Sequence, residues 1–146
     1  MRNLVENIED DGSLLAIIVR DSFDKPSISF FTPDAFSQQL AYMRHPSGKS
    51  IAPHVHKTVL RKVYYTQEVL FIKKGKLRVD FYNQTQDYIE SRILSAGDVI
   101  LLATGGHGFE VLEDIEMIEV KQGPYAGDDD KIRFDGVNVD RIDIRE

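Results

Sequence analysis

The chain has 146 residues, 42% of them hydrophobic, with 10 Gly, 5 Pro, 8 Phe, 6 Tyr and no Cys. That length fits one domain with a real core, and the composition excludes a low-complexity chain, a disulfide scaffold, a thiolate metal site and a Cys nucleophile. The net charge of −6 argues against a general nucleic-acid binder, since phosphate contacts need a basic surface.

The N-terminus, Met1-Arg2-Asn3-Leu4-Val5-Glu6, turns acidic before a signal-peptide core can form. The longest apolar run, Leu14 to Val19, is six residues, far short of a membrane span. A soluble, cytoplasmic protein is expected. Short apolar segments rich in Val and Ile recur about every ten residues, the pattern of an all-β sandwich or barrel. Strands are predicted over 14–20, 27–31, 40–45, 59–65, 69–73, 77–82, 91–94, 98–102, 108–112 and 115–121. Leu14 to Val19, almost continuously apolar, reads as a strand buried on both faces.

One short helix is predicted from Thr32, as its cap, through Pro33 and Asp34 to about Gln39. Strict alternation from Lys76 to Tyr82 puts Leu77, Val79 and Phe81 in the core and Lys76, Arg78, Asp80 and Tyr82 toward solvent. Lys73-Lys74-Gly75-Lys76 reads as a hairpin turn, with Gly75 free to take a positive φ. From Gly123 onward apolar density falls, yet Ile132, Phe134, Val137, Val139, Ile142 and Ile144 are too many for a disordered end. They should strap onto the barrel or a partner subunit. Asp128-Asp129-Asp130 reads as a solvated acidic turn.

Chemistry concentrates on four His: His45, His54, His56 and His107. His54 and His56 are two apart, so on a strand they share one face and form a ready pair of metal ligands. Glu68 opens the apolar Val69-Leu70-Phe71-Ile72, where a carboxylate is costly unless paired or bound to a cation. His107 sits among Gly105, Gly106 and Gly108, which permit close backbone approach.

These residues give the chain a resemblance to the cupins, whose first motif reads G-x5-H-x-H-x3,4-E-x6-G. Gly48, His54 and His56 match its first half, and Glu68 with Gly75 match its second. Eleven residues, 57–67, stand where the motif has three or four. The second motif, G-x5-P-x-G-x2-H-x3-N, is followed loosely by Gly97, Ala103, Gly105 and His107. The resemblance spans residues 37–121, the expected barrel core, with N-terminal strands within 1–32 and a C-terminal strap over 122–146.

It implies an all-β jelly-roll barrel and a divalent transition metal held by His54, His56, Glu68 and His107. Three imidazoles and one carboxylate suit Fe²⁺, Mn²⁺, Ni²⁺ or Zn²⁺ better than Ca²⁺. Gly105-Gly106-His107-Gly108-Phe109 followed by Glu119-Val120-Lys121-Gln122-Gly123-Pro124-Tyr125 is similar to small bacterial cupins of sugar-nucleotide and surface-polysaccharide pathways.

The insertion leads straight into Glu68, so its end should lie near the site. Arg61 and Lys62 could hold an anionic group, and Tyr64 or Tyr65 could stack on a sugar or supply a proton. The alternative is an extra barrel strand with Val59, Val63 and Tyr65 facing the core. Lys57, Arg61, Lys62, Lys73, Lys74, Lys76 and Arg78 face a single acid, Glu68, in the stretch 57–78. That is either a solvated face or a positive field around an anionic ligand. No G-x-S-x-G, P-loop or G-x-G-x-x-G is present.

Three functions fit: a metalloenzyme of isomerase, epimerase or lyase type on a small polar, sugar-derived molecule; a non-haem iron dioxygenase; or a non-catalytic small-molecule binder. A homodimer is expected, because a jelly roll this short leaves sheet edges to be covered.

Overall fold

A computed structural model describes residues 3–146. Met1 and Arg2, with which the reading of the N-terminus begins, lie outside the described residues, as does the side chain of Asp129. The chain is almost entirely β, with strands β1 (Val5–Asp10), β2 (Ser13–Val19), β3 (Ser27–Phe30), β4 (Ala41–Arg44), β5 (Glu68–Tyr82), β6 (Tyr88–Ser95), β7 (Val99–Leu102) and β8 (Gly106–Lys121). Single 3₁₀ turns lie at Gly127–Asp130 and Val139–Arg141. No helix among the described residues is long and apolar enough to cross a membrane.

Six strands form one antiparallel sheet in the order β1-β2-β7-β5-β6, with β8 on the far edge of β5, and the sheet curls into a half-barrel. β3 and β4 form a separate two-stranded sheet. The curl originates in β5. Its first half, Glu68 to Phe71, pairs with β7, whereas Lys76 to Tyr82 pairs with β6 along the same edge. A strand shared in this way must bend between the halves, and Gly75 sits at the bend with φ +91°. A Cβ there would lie 2.0 Å from the Asp114 carbonyl oxygen.

The hairpin expected at 73–76 is therefore corrected to a bulged bend. β8 runs beside both halves of β5 and supplies partners throughout, with register shifts between Ile72 and Leu77, so the positive φ of Gly75 kinks the strand without reversing it. For the same reason 108–112 and 115–121 are one strand.

Ile8, Leu15, Ile18, Leu70, Ile72, Phe81 and Ile100 anchor the core inside the curl. Each such side chain contributes roughly 1.5–3 kcal/mol by burial. Leu77, Val79 and Phe81 are 0–1% exposed, as their alternation requires. Asp80 and Tyr82 of the opposite set are also buried, which corrects the solvent-facing assignment. The C-terminal strap covers Tyr82: Phe134 packs edge-on against it at 5.0 Å, and the Val137 amide donates to the Tyr82 hydroxyl at 3.0 Å, while Asp80 accepts from Arg78 and Ser91. Farther along, the Ser91 amide donates to the Asp143 carbonyl and the Arg145 amide to that of Ser91. The strap thus packs on its own chain's sheet.

Two further expectations are overturned. Residues 32–39 form turns, not the short helix. The Thr32 hydroxyl is spent across the loop, donating to the Gln39 side chain at 2.8 Å and accepting from the Leu40 amide, so it caps no first turn. So short a segment also lacks the length to offset helix nucleation. Residues 59–65 form no strand, and Val59, Val63 and Tyr65 are 55%, 43% and 54% exposed. Among the described residues this segment pairs with no strand. Conversely, β1 escapes a reading of apolar runs because half its residues are Glu6, Glu9 and Asp10. Glu6 nonetheless points inward with Ile8, neutralised by Arg20 and Arg92.

Candidate functional site

Glu68 opens β5, in register with Leu102 of β7 on one side and Lys121 of β8 on the other. From Leu102 the chain turns through 103–105 and re-enters the sheet as β8, whose second residue is His107. This short connection brings two groups from opposite ends of the β5–β8 ladder together: His107 Nε2 lies 3.9 Å from Glu68 Oε2. Gly105 makes the turn possible. Its φ is +74°, and a Cβ would stand 2.3 Å from the Tyr82 carbonyl oxygen.

Glu68 and His107 share a cavity of about 770 Å³, whose walls include Tyr64, Tyr65, Phe109, Lys131, Arg133 and Phe134. The end of the insertion therefore reaches Glu68, as its sequence position requires. Thr66 pins it there, donating to Asp130 Oδ1 at 2.5 Å, while Lys121 Nζ lies 3.2 Å from Asp130 Oδ2. Asp130 is thus an anchor between arm, strap and β8, which corrects the reading of 128–130 as merely a solvated turn.

The electrostatics of the pair are unusual for a carboxylate beside an imidazole. Burial pushes the Glu68 carboxyl above its ordinary range, and the neighbouring Glu119 carboxylate pushes it further, against the weaker pull of Lys121 and Lys131. Burial also holds the His107 imidazolium down, with Lys131 adding to the effect and Glu119 opposing it. At 3.9 Å the two would form an ion pair only if both were charged, and both shifts oppose charge. Both shifts favour the uncharged forms, the protonated carboxyl and the neutral imidazole.

The other expected ligands lie elsewhere. His54 and His56 are exposed on the irregular segment 45–67, with ring centroids 5.3 Å apart and His54 Nδ1 2.9 Å from the Ala52 carbonyl oxygen. The four donors thus fall into two pairs, and among the described residues no three His, Asp or Glu gather to hold an ion. Arg61 and Lys62 line a second, open cavity of about 1230 Å³, which shares Tyr64, Tyr65 and Thr66 with the first.

Sequence reasoning missed Lys131, Arg133 and Glu119. A signal existed in Lys131-Ile132-Arg133-Phe134, where cations alternate with apolar residues. Phe134 anchors on Tyr82 while both cations line the cavity wall. No family model, no curated protein and no solved structure matches the chain.

Proposed function

We propose that the chain is a cupin-type jelly-roll protein that acts as an isomerase or epimerase on a small, polar, sugar-derived molecule bearing an anionic group. The observation that carries this reading is the Glu68–His107 pair: an acid and a base, each shifted by burial toward its uncharged form, facing one cavity 3.9 Å apart. Two titratable groups pushed in opposite directions mark acid and base roles. Neutral His107 accepts the proton from a carbon beside the substrate carbonyl as Glu68 donates its own to the carbonyl oxygen, giving an enediol. Return of the two protons, at the neighbouring carbon or the opposite face, yields the isomer with both residues restored. Lys131 and Arg133 supply positive charge for the substrate's anionic group, and Tyr64 and Tyr65 offer ring faces to the sugar.

A divalent ion on His54, His56, Glu68 and His107 would require the two donor pairs to converge, and each step above uses only groups of the chain. The test is incubation with a panel of sugar phosphates, nucleoside-diphosphate keto-sugars and keto acids in D₂O, followed by proton NMR. Deuterium should enter at the carbon beside the carbonyl of at least one compound, with the rate falling about 10²-fold or more in Glu68→Gln and His107→Ala. No incorporation across the panel, or equal incorporation in the variants, would overturn the reading. Loss of incorporation on adding a chelator would move the chemistry from the two side chains to an ion.

A further inference from the structure

The long edge strand and the exposed arm of this chain have complementary defects. β8 is sixteen residues long, has β5 as its only partner among the described residues, and contains no buried residue. Its free edge leaves a full row of backbone donors and acceptors unpaired, and Ile118 and Val120 on its flank are 52% and 55% exposed. It carries Glu110, Glu113, Asp114, Glu116 and Glu119 against the single cation Lys121.

The segment 54–63 has the opposite character. It contains no Pro, and Val55, Thr58, Val59 and Val63 give it strand propensity, yet it forms no strand. Val55 and Leu60 are each 91% exposed. From 41 to 67 the chain carries Arg44, Lys49, Lys57, Arg61 and Lys62 and not one acid. The arm leaves the β3–β4 hairpin, a two-stranded sheet with Phe30 and Met43 65% and 56% exposed. A hairpin of that size is marginal without a further strand or cover.

We propose that residues 54–63 of one copy add as a strand to the free edge of β8 in a second copy, and reciprocally, giving a twofold dimer closed by exchanged arms. One strand-forming segment lacks an edge and one edge lacks a strand, and their charges are opposite. Because both lie in the same chain, a single twofold axis satisfies each defect twice. Ten extended residues span about 33 Å, well within the length of β8. The occupant is a second copy and not an unrelated protein because the acidic edge finds its basic, strand-forming match within this sequence.

The test is sedimentation of the full chain at micromolar concentration and low salt, with two charge-reversed forms. One carries Lys57→Glu, Arg61→Glu and Lys62→Glu; the other carries Glu110→Lys, Glu113→Lys and Glu116→Lys. The wild type should sediment as a dimer of the 16.7 kDa chain and dissociate as salt is raised. Each variant alone should be monomeric, its dimer weakened at least about a hundredfold by like charges along the contact. Mixed together the two should form a heterodimer, since each arm then meets an edge of opposite charge. That mixture also reports that both variants are folded. A monomeric wild type, a variant that stays dimeric alone, or a mixture that stays monomeric would overturn the proposal.

Discussion

Replacing Arg20 by Ala should cost about 3–5 kcal/mol, a large share of the stability of a domain of this size. Arg20 is 4% exposed and holds two buried carboxylates from different parts of the sheet. Its Nε is paired with Glu6 of β1, and its Nη1 lies 3.1 Å from Asp98, in the turn between β6 and β7. The same Nη1 donates to the Ile93 carbonyl at 2.8 Å. Asp98 also accepts from the Asp21 and Ser95 amides, so it positions the β2 exit and the β6–β7 turn together. Without the guanidinium both carboxylates remain buried with part of their countercharge gone. Urea denaturation of the two proteins at neutral pH measures the loss, and a difference under about 1 kcal/mol would mean that Arg92 and the backbone donors suffice.

The pH dependence follows with a definite sign. Burial alone would raise the Glu6 carboxyl, but hydrogen bonds and charge from Arg20 and Arg92 outweigh it and hold it below the usual carboxylate range. A group whose proton affinity falls on folding contributes stability above its unfolded pKa, about 4.3, and loses it as pH falls through the folded value. The wild type should therefore lose this contribution only in acid, and Arg20→Ala should lack most of it at neutral pH already.

Gly75→Ala should cost about 3 kcal/mol or more, combining left-handed strain with an overlap that no rotamer relieves. The added Cβ would sit 2.0 Å from the Asp114 carbonyl oxygen, a backbone atom held by the β5–β8 ladder. Gly12→Ala is the matching control. Gly12 also has a positive φ, +78°, but a Cβ there meets nothing within 4 Å. Only the backbone term of about 1–2 kcal/mol should appear at that position. Equal thermal shifts in the two variants would mean that the bend in β5 tolerates a side chain, and with it the account of how one strand serves two neighbours would fail.

The all-β class and seven of the eight strands are legible because their apolar residues alternate or cluster between turn residues, although β5 and β8 each read as two. What escaped is where a residue's partner is distant in sequence. Glu6 looks like a surface acid until Arg20 and Arg92 close on it, and so β1 is lost. Gly75 has the chemistry of a turn, and only β8 running alongside makes it a bulge. The 59–65 segment has the pattern of a strand, which no local signal can deny, but a strand also needs an edge. In the site, Glu68 and His107 were found by their cost and their glycine setting. The pairing between them depends on the turn after Leu102, and the cations beside them come from the strap. His54 and His56 lie with ring centroids 5.3 Å apart, but on an irregular segment and not on the strand face that their spacing suggested.

The central claim, that the cavity raises the Glu68 carboxyl and lowers the His107 imidazole, is tested most directly by NMR titration of the Glu68 side-chain carboxyl carbon and the His107 ring nitrogens. The Glu68 midpoint should lie above the ordinary carboxylate value of about 4.3 and the His107 midpoint below about 6.5. The His107→Ala and Glu68→Gln proteins assign the two signals. A Glu68 midpoint at or below the ordinary value, with His107 titrating above its own, would describe an ordinary ion pair and contradict the account.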